Sequence, residues 1–96
     1  MPKAYWITSY RKVLDADKLA AYAKLAAPAI AAAGGRFVVR GTAVYASEDG
    51  VLGRTVVIEF DSVEAALAAH ASADYQAALS VLGDGAVRDL RIVPGV

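Results

Sequence analysis

The chain has 96 residues, one domain's worth, with ten basic and ten acidic side chains and a formal net charge of zero. That balance argues against nucleic acid as a partner, since such binding rests on clustered Lys and Arg that neutralise phosphates. There is no cysteine, so disulfides, thiolate zinc sites and thiol nucleophiles are excluded, which fits a reducing compartment.

Hydrophobic residues make up 57% of the chain and the mean hydropathy is +0.42, more apolar than an ordinary soluble domain needs. A domain this small hides only roughly 60–65% of its unfolded surface and gains by pairing with a copy of itself. No apolar run reaches the roughly 18 residues of a membrane span. The Ala-rich segment from Leu19 to Gly35 comes closest, but Lys24 and Pro28 cut it. The excess apolar surface is therefore assigned to a subunit interface rather than to lipid. "MPKAYWITSY" has no signal-peptide core, so a soluble cytoplasmic protein is expected.

"KAYWITSY" is aromatic and β-branched and reads as the first strand. In "DADKLAAYAKLAAPAIAAAGG", apolar residues recur at spacings of three and four, a helical stripe through Leu19, Tyr22, Leu25 or Ala26, Ala29 or Ile30, and Ala33. Asp15 or Asp17 can cap its start and Gly34-Gly35 its end. Pro28 should bend it near Lys24 to Pro28. "RFVVRGTAVYA" and "GRTVVIEF" are two strands, and Asp49-Gly50 between them is a hairpin dipeptide. "DSVEAALAAHASADYQAALSVL" is helical, capped by Asp61 or Ser62, with Asp61 and Glu64 able to form a capping box. A second cap at "SADY" predicts a break near Ala71 to Ala73. "VRDLRIV" is the last strand.

The order is βαββαβ over a single domain, residues 1–96. Its simplest closed solution is an α+β ferredoxin-like sandwich: a four-stranded antiparallel sheet with both helices on one face. With Asp49 and Gly50 as turn residues, Val39 falls opposite Phe60 and Arg40 opposite Glu59. Phe37, Val39, Ala43, Val56, Ile58 and Phe60 then lie under the helices. Arg36, Val38, Arg40, Thr42, Val44, Thr55, Val57 and Glu59 take the open side. That side is largely apolar with a charged pair inside, which suits a face covered by a second subunit. A bulge at Gly41 or Gly53 would shift this register.

"YWI", Tyr22 with Pro28, "GGRFVVRG", "RTVVIEF" and "SADYQAA" together resemble the domain-of-unknown-function 1330 family over nearly the whole chain. The family's habitual "SPEY" is "SADY" here. The resemblance implies membership of the dimeric α/β-barrel superfamily, in which two ferredoxin-like sheets face each other to close one barrel. Its relatives include cofactor-free monooxygenases, muconolactone isomerases and haem-handling enzymes; the family itself implies no reaction.

Arg40 and Glu59 are the leading candidates for chemistry: an anchor for an anion or carbonyl beside a carboxylate that moves protons, or else a structural ion pair. Arg54, at the hairpin's re-entry, can grip a carboxylate at a pocket mouth or pair on the surface. Tyr22 and Tyr75 suit either a pocket wall or the core. His70, the one histidine, is a lone general base or a helix-edge residue. Trp6 belongs to the core, an interface or the pocket. One histidine and no cysteine predict no metal site, and no cofactor is expected. Nucleophile elbows and phosphate loops are absent. Two functions follow. One is a cofactor-independent isomerase, lyase or oxygenase acting on a small carbonyl or carboxylate compound. The other is a non-catalytic homodimer that binds a metabolite or a protein.

Overall fold

The computed structural model describes residues 2–96. Its elements are β1 (Ala4–Val13), α1 (Ala16–Ala32), β2 (Arg36–Thr42), β3 (Arg54–Phe60), α2 (Val63–Ala71), α3 (Ala73–Leu82) and β4 (Ala86–Pro94). The strands form one antiparallel sheet in the order β2-β3-β1-β4, the ferredoxin-like arrangement that the element order predicts. No helix is long and apolar enough to cross a membrane among the described residues.

Local chemistry sets the boundaries. The Asp15 carboxylate accepts from the backbone N–H groups of Asp17 and Lys18 and starts α1. The helix then runs unbroken through Pro28. Ser62 caps α2, while Asp61 turns instead to Arg36. At Ser72 the second helical region divides where its cap pattern predicts: the Ser72 hydroxyl accepts from Tyr75 N at 3.2 Å. Gly34 adopts φ 93°, and a Cβ on Gly35 would sit 2.6 Å from Ile30 Cγ2 and 2.8 Å from Phe60 Cζ. The first glycine supplies a left-handed turn and the second lets the backbone approach the core.

Alternation on β1 sends Ala4, Trp6, Thr8 and Tyr10 inward, where Val56, Ile58 and Phe60 of β3 join them. Helical residues close this core from one side: Tyr22, Ala26 and Ile30 from α1, Ala66 and Ala69 from α2, Tyr75, Ala78 and Leu82 from α3. Each large apolar side chain so buried contributes about 1.5–3 kcal/mol. Trp6 organises the centre. Tyr75 meets it edge-on at 4.8 Å between ring centroids and Phe60 stacks at 6.2 Å, while its indole N–H donates to Thr8 Oγ1. α2 lies directly on β1, β3 and β4, whereas α1 packs along α3.

The hairpin differs from the expected register. Its turn is Ser47 to Gly50, closed by Gly50 N donating to Ser47 O, with Glu48 rather than Asp49 at positive φ. Arg36 pairs with Glu59 and Phe37 with Ile58, but Val39 then pairs with Val57 and Arg40 with Val56. A bulge at Val38 inserts one residue, so every later residue of β2 changes face. Arg40 therefore lies on the helix side and Val39 on the open side. The expected Arg40–Glu59 pair does not form. Glu59 pairs with Arg36 at 3.1 Å, and Arg36 also bonds Asp61 at 3.0 Å.

Candidate functional site

α1 packs mainly along α3, and several of its residues toward the sheet are small. Ala16, Ala20, Ala23, Ala26 and Ala27 leave the space over the sheet unfilled. The result is a cavity of about 300 Å³ between α1 and the inner face of the sheet, within the range of small-molecule sites. Trp6, Thr8 and Tyr10 of β1 form its floor with Val56 and Ile58 of β3. Leu19, Tyr22 and Phe37 close the sides, and Arg40, Arg54 and Arg88 supply charge.

Arg88 is the polar centre. It extends beneath α1 from β4, where it pairs with Tyr10, and its guanidinium lies 5.6 Å from the Tyr10 ring centroid and 5.0 Å from that of Tyr22. Arg88 Nη1 donates to the Tyr22 hydroxyl at 3.2 Å, and the Tyr22 and Tyr75 hydroxyls are 2.8 Å apart. Burial raises the pKa of Tyr75, and the neighbouring Tyr22 adds to the shift, so Tyr75 keeps its proton. Burial works against the Arg88 charge, but the Tyr22 and Tyr75 hydroxyls outweigh it and the pKa rises. A hydroxyl has two lone pairs and one proton. Arg88 donates to the Tyr22 oxygen, and either hydroxyl can donate in the Tyr22–Tyr75 contact; when Tyr75 is the donor, Tyr22 has its own proton free for a ligand in the cavity.

The site residues expected from sequence divide into three groups. Arg40, Arg54, Tyr22 and Trp6 come together on the cavity wall. Tyr75 and His70 stand behind it: His70 packs against the Trp6 and Tyr75 rings, each at 5.2 Å, and Tyr75 supports Tyr22. Burial lowers the His70 pKa, and the Arg88 charge lowers it further. Glu59 is on the other face of the sheet, where it accepts from Tyr5 Oη at 3.0 Å. That hydrogen bond, then the one from Arg36, lowers its pKa. The reading of Glu59 as a proton carrier beside Arg40 is corrected by the same bulge that moves Arg40.

Arg88 was legible but passed over. In "VRDLRIV" it shares parity with Leu90 and Ile92, so the alternation that puts those two under the helices puts an arginine there too. No three His, Cys, Asp or Glu side chains gather as metal ligands among the described residues.

No curated protein sequence matches the chain. Solved structures do, at the level of fold. A protein of unknown function from Rhodopseudomonas palustris, RPA0582, aligns with TM-score 0.77 and 18% identity over 99% of this chain and 83% of its own. SnoaB, a cofactor-independent oxygenase from Streptomyces nogalater, aligns with TM-score 0.65 and 16% identity over 96% of this chain and 91% of its own. A dimeric protein of unknown function and ferredoxin-like fold from Bacteroides fragilis NCTC 9343 gives TM-score 0.55 and 13% identity over 96% and 95%. The model of one family, the domain of unknown function DUF1330, matches residues 3–96, and the chain belongs to that family.

Proposed function

We propose that the cavity under α1 binds a small carbonyl or carboxylate compound and stabilises its anionic form, as a cofactor-independent isomerase, lyase or oxygenase. The observation that carries this reading is the convergence of Arg88 and Tyr22 on one mostly apolar space. Negative charge that develops on a substrate oxygen, as when a ketone gives its α-proton to solvent water and passes to its enolate, would meet a guanidinium and a phenolic O–H held beside Tyr75. Donors fixed in advance in a largely dry site are the largest single source of rate acceleration in such chemistry. Arg54 and Arg40 would hold a carboxylate of the same molecule at the mouth. The likeness in fold to a cofactor-independent oxygenase agrees with this reading, although sites rather than folds decide chemistry.

A second reading, a metabolite-binding module without catalysis, is favoured by one observation: among the described residues, neither a carboxylate nor an imidazole lines the cavity. The two readings separate in one assay. Oxaloacetate and phenylpyruvate are incubated with the protein in D2O and chelator, and loss of the α-proton signal is followed by NMR. Acceleration over the protein-free blank, falling about 10²-fold in Arg88→Gln, is the catalytic outcome. Binding without acceleration selects the module, and acceleration that survives Arg88→Gln refutes the assignment of the site.

The working unit would be a homodimer joined through the open sheet faces. Val39, Val57 and Ile7 lie in one row across that face, flanked by the Arg36–Glu59 cluster at one end and Arg91–Asp89 at the other. A neighbour in fold is described as dimeric.

A further inference from the structure

The six arginines divide by their surroundings. Arg11, Arg36 and Arg91, all outside the cavity, each have a carboxylate partner: Asp89 at 3.7 Å, Glu59 at 3.1 Å and Asp89 at 3.0 Å. Arg40, Arg54 and Arg88, all on the cavity wall, have no ion pair among the described residues, and no Asp or Glu lines the space. In a chain of zero net charge, three cations thus face one enclosure with no protein anion. Arg88 is half-buried, with tyrosine hydroxyls as its neutral partners. Those neutral hydroxyls hold the charge but do not balance it, and an anionic ligand would supply the missing counter-ion.

The three are also arranged in space. Arg40 is on the edge strand β2 and Arg54 begins β3 beside it, while Arg88 is on β4 at the opposite edge. β1, with Thr8 and Tyr10, runs between. Neighbouring strands are about 4.8 Å apart, so the backbones of β3 and β4 are separated by about 10 Å. Arg40 is held over the Phe37 ring at 4.6 Å, which positions its charge without neutralising it. The enclosure therefore has two cationic ends: Arg40 with Arg54, and Arg88 with Tyr22.

We propose that the cavity is built for a compact organic dianion, a short-chain dicarboxylate or its 2-oxo form, with one acidic group at the Arg40–Arg54 end and the other on Arg88 and Tyr22. This rests on the reading of the cavity as the ligand site and narrows it. A monoanion would satisfy one end and leave the other uncompensated. An ordinary aromatic ketone would satisfy neither.

Isothermal titration at fixed ionic strength with malonate, succinate, glutarate, butyrate and inorganic phosphate tests it, on the native protein, Arg88→Gln and the double variant Arg40→Gln/Arg54→Gln. One dicarboxylate should bind at least about tenfold more tightly than butyrate, the worth of a second charge-assisted contact. Both variants should lose that preference and keep only the weaker, butyrate-like binding. Arg40 and Arg54 are exposed, so the double variant will fold even if Arg88→Gln does not, and circular dichroism checks this. Butyrate binding as tightly as the best dicarboxylate, or phosphate binding alone, overturns the dianion proposal. So does a preference that persists in the double variant. If butyrate binds equally and Arg88→Gln abolishes it, the cavity reading survives while the dianion fails. If nothing binds and the keto-acid assay is blank, both fall.

Discussion

Tyr75 joins the core and the site through different atoms. Its ring is fully buried edge-on against Trp6, and its hydroxyl faces Tyr22. Tyr75→Phe should therefore cost about 1 kcal/mol, the net worth of one hydrogen bond. Tyr75→Ala should cost about 3–5 kcal/mol, as for other buried aromatics. Urea denaturation measures both, and equal losses would mean that the ring's packing is not what stabilises this position. His70, against the same two rings, makes stability depend on pH. Its folded pKa lies below the usual value of 6.5 because burial and then Arg88 oppose its charge. The unfolded chain thus binds the proton more readily. The stabilising contribution is complete above about pH 6.5 and is lost as pH falls towards the folded pKa. Melting temperatures should drop between pH 7 and 5, and His70→Gln should flatten that part of the curve; an unchanged slope counts against it. At this scale the sequence was readable where a residue type carries its own constraint. Tyr22 suits a pocket wall or the core because an apolar body carries one hydroxyl, and Arg54 suits a pocket mouth because the hairpin re-enters the sheet there; both line the cavity. Arg88 is harder to read, because its inward parity within the strand conflicts with its charge.

Elements were the most legible level, since their signals are local. The caps at Asp15, Ser62 and Ser72 each act within three residues of the chain. The register of β2 on β3 is not local, since it depends on how two strands meet across a loop. The face assignment accordingly held for β3 and failed for β2 beyond Val38. A related distinction separates the two adjacent glycines after α1. Gly35→Ala would push a methyl into Ile30, Phe60 and Ile58 and should destabilise by about 1–3 kcal/mol through overpacking. Gly34→Ala meets no atom within 4 Å but must hold φ 93°, which costs about 1–2 kcal/mol from backbone strain. A larger hydrophobic substitution at each site tells them apart. Gly35→Val should be much worse than Gly35→Ala, because it adds atoms to a full space. Gly34→Leu should resemble Gly34→Ala. Thermal melts that ranked the four otherwise would refute this account.

For the molecule as a whole, composition anticipated more apolar surface than one small domain can hide, and part of it lies on the open sheet face. Val39, Val87 and Val93 are all exposed there. The proposed pairing of two such faces predicts a dimer by light scattering at micromolar concentration, with at least about 1,000 Å² buried. Val57→Lys, in the middle of the Ile7–Val57–Val39 row, should give a monomer that still binds the cavity's ligand, since the cavity opens on the other side of the sheet. A monomeric native protein would refute the pairing. Loss of ligand binding in a folded monomer would show that the two faces are coupled.

The bulge at Val38 has a consequence for how such a chain can change. A strand is a two-phase track, and one inserted residue shifts the phase of everything after it. Arg36 and Arg40 are four positions apart and in a regular strand would serve the same side. With the shift, a single seven-residue strand delivers one cation to the outer face and one to the enclosed space. The proposed pairing face and the cavity thereby draw on the same short segment, and straightening the bulge with the sequence unchanged would send both cations to the outer face.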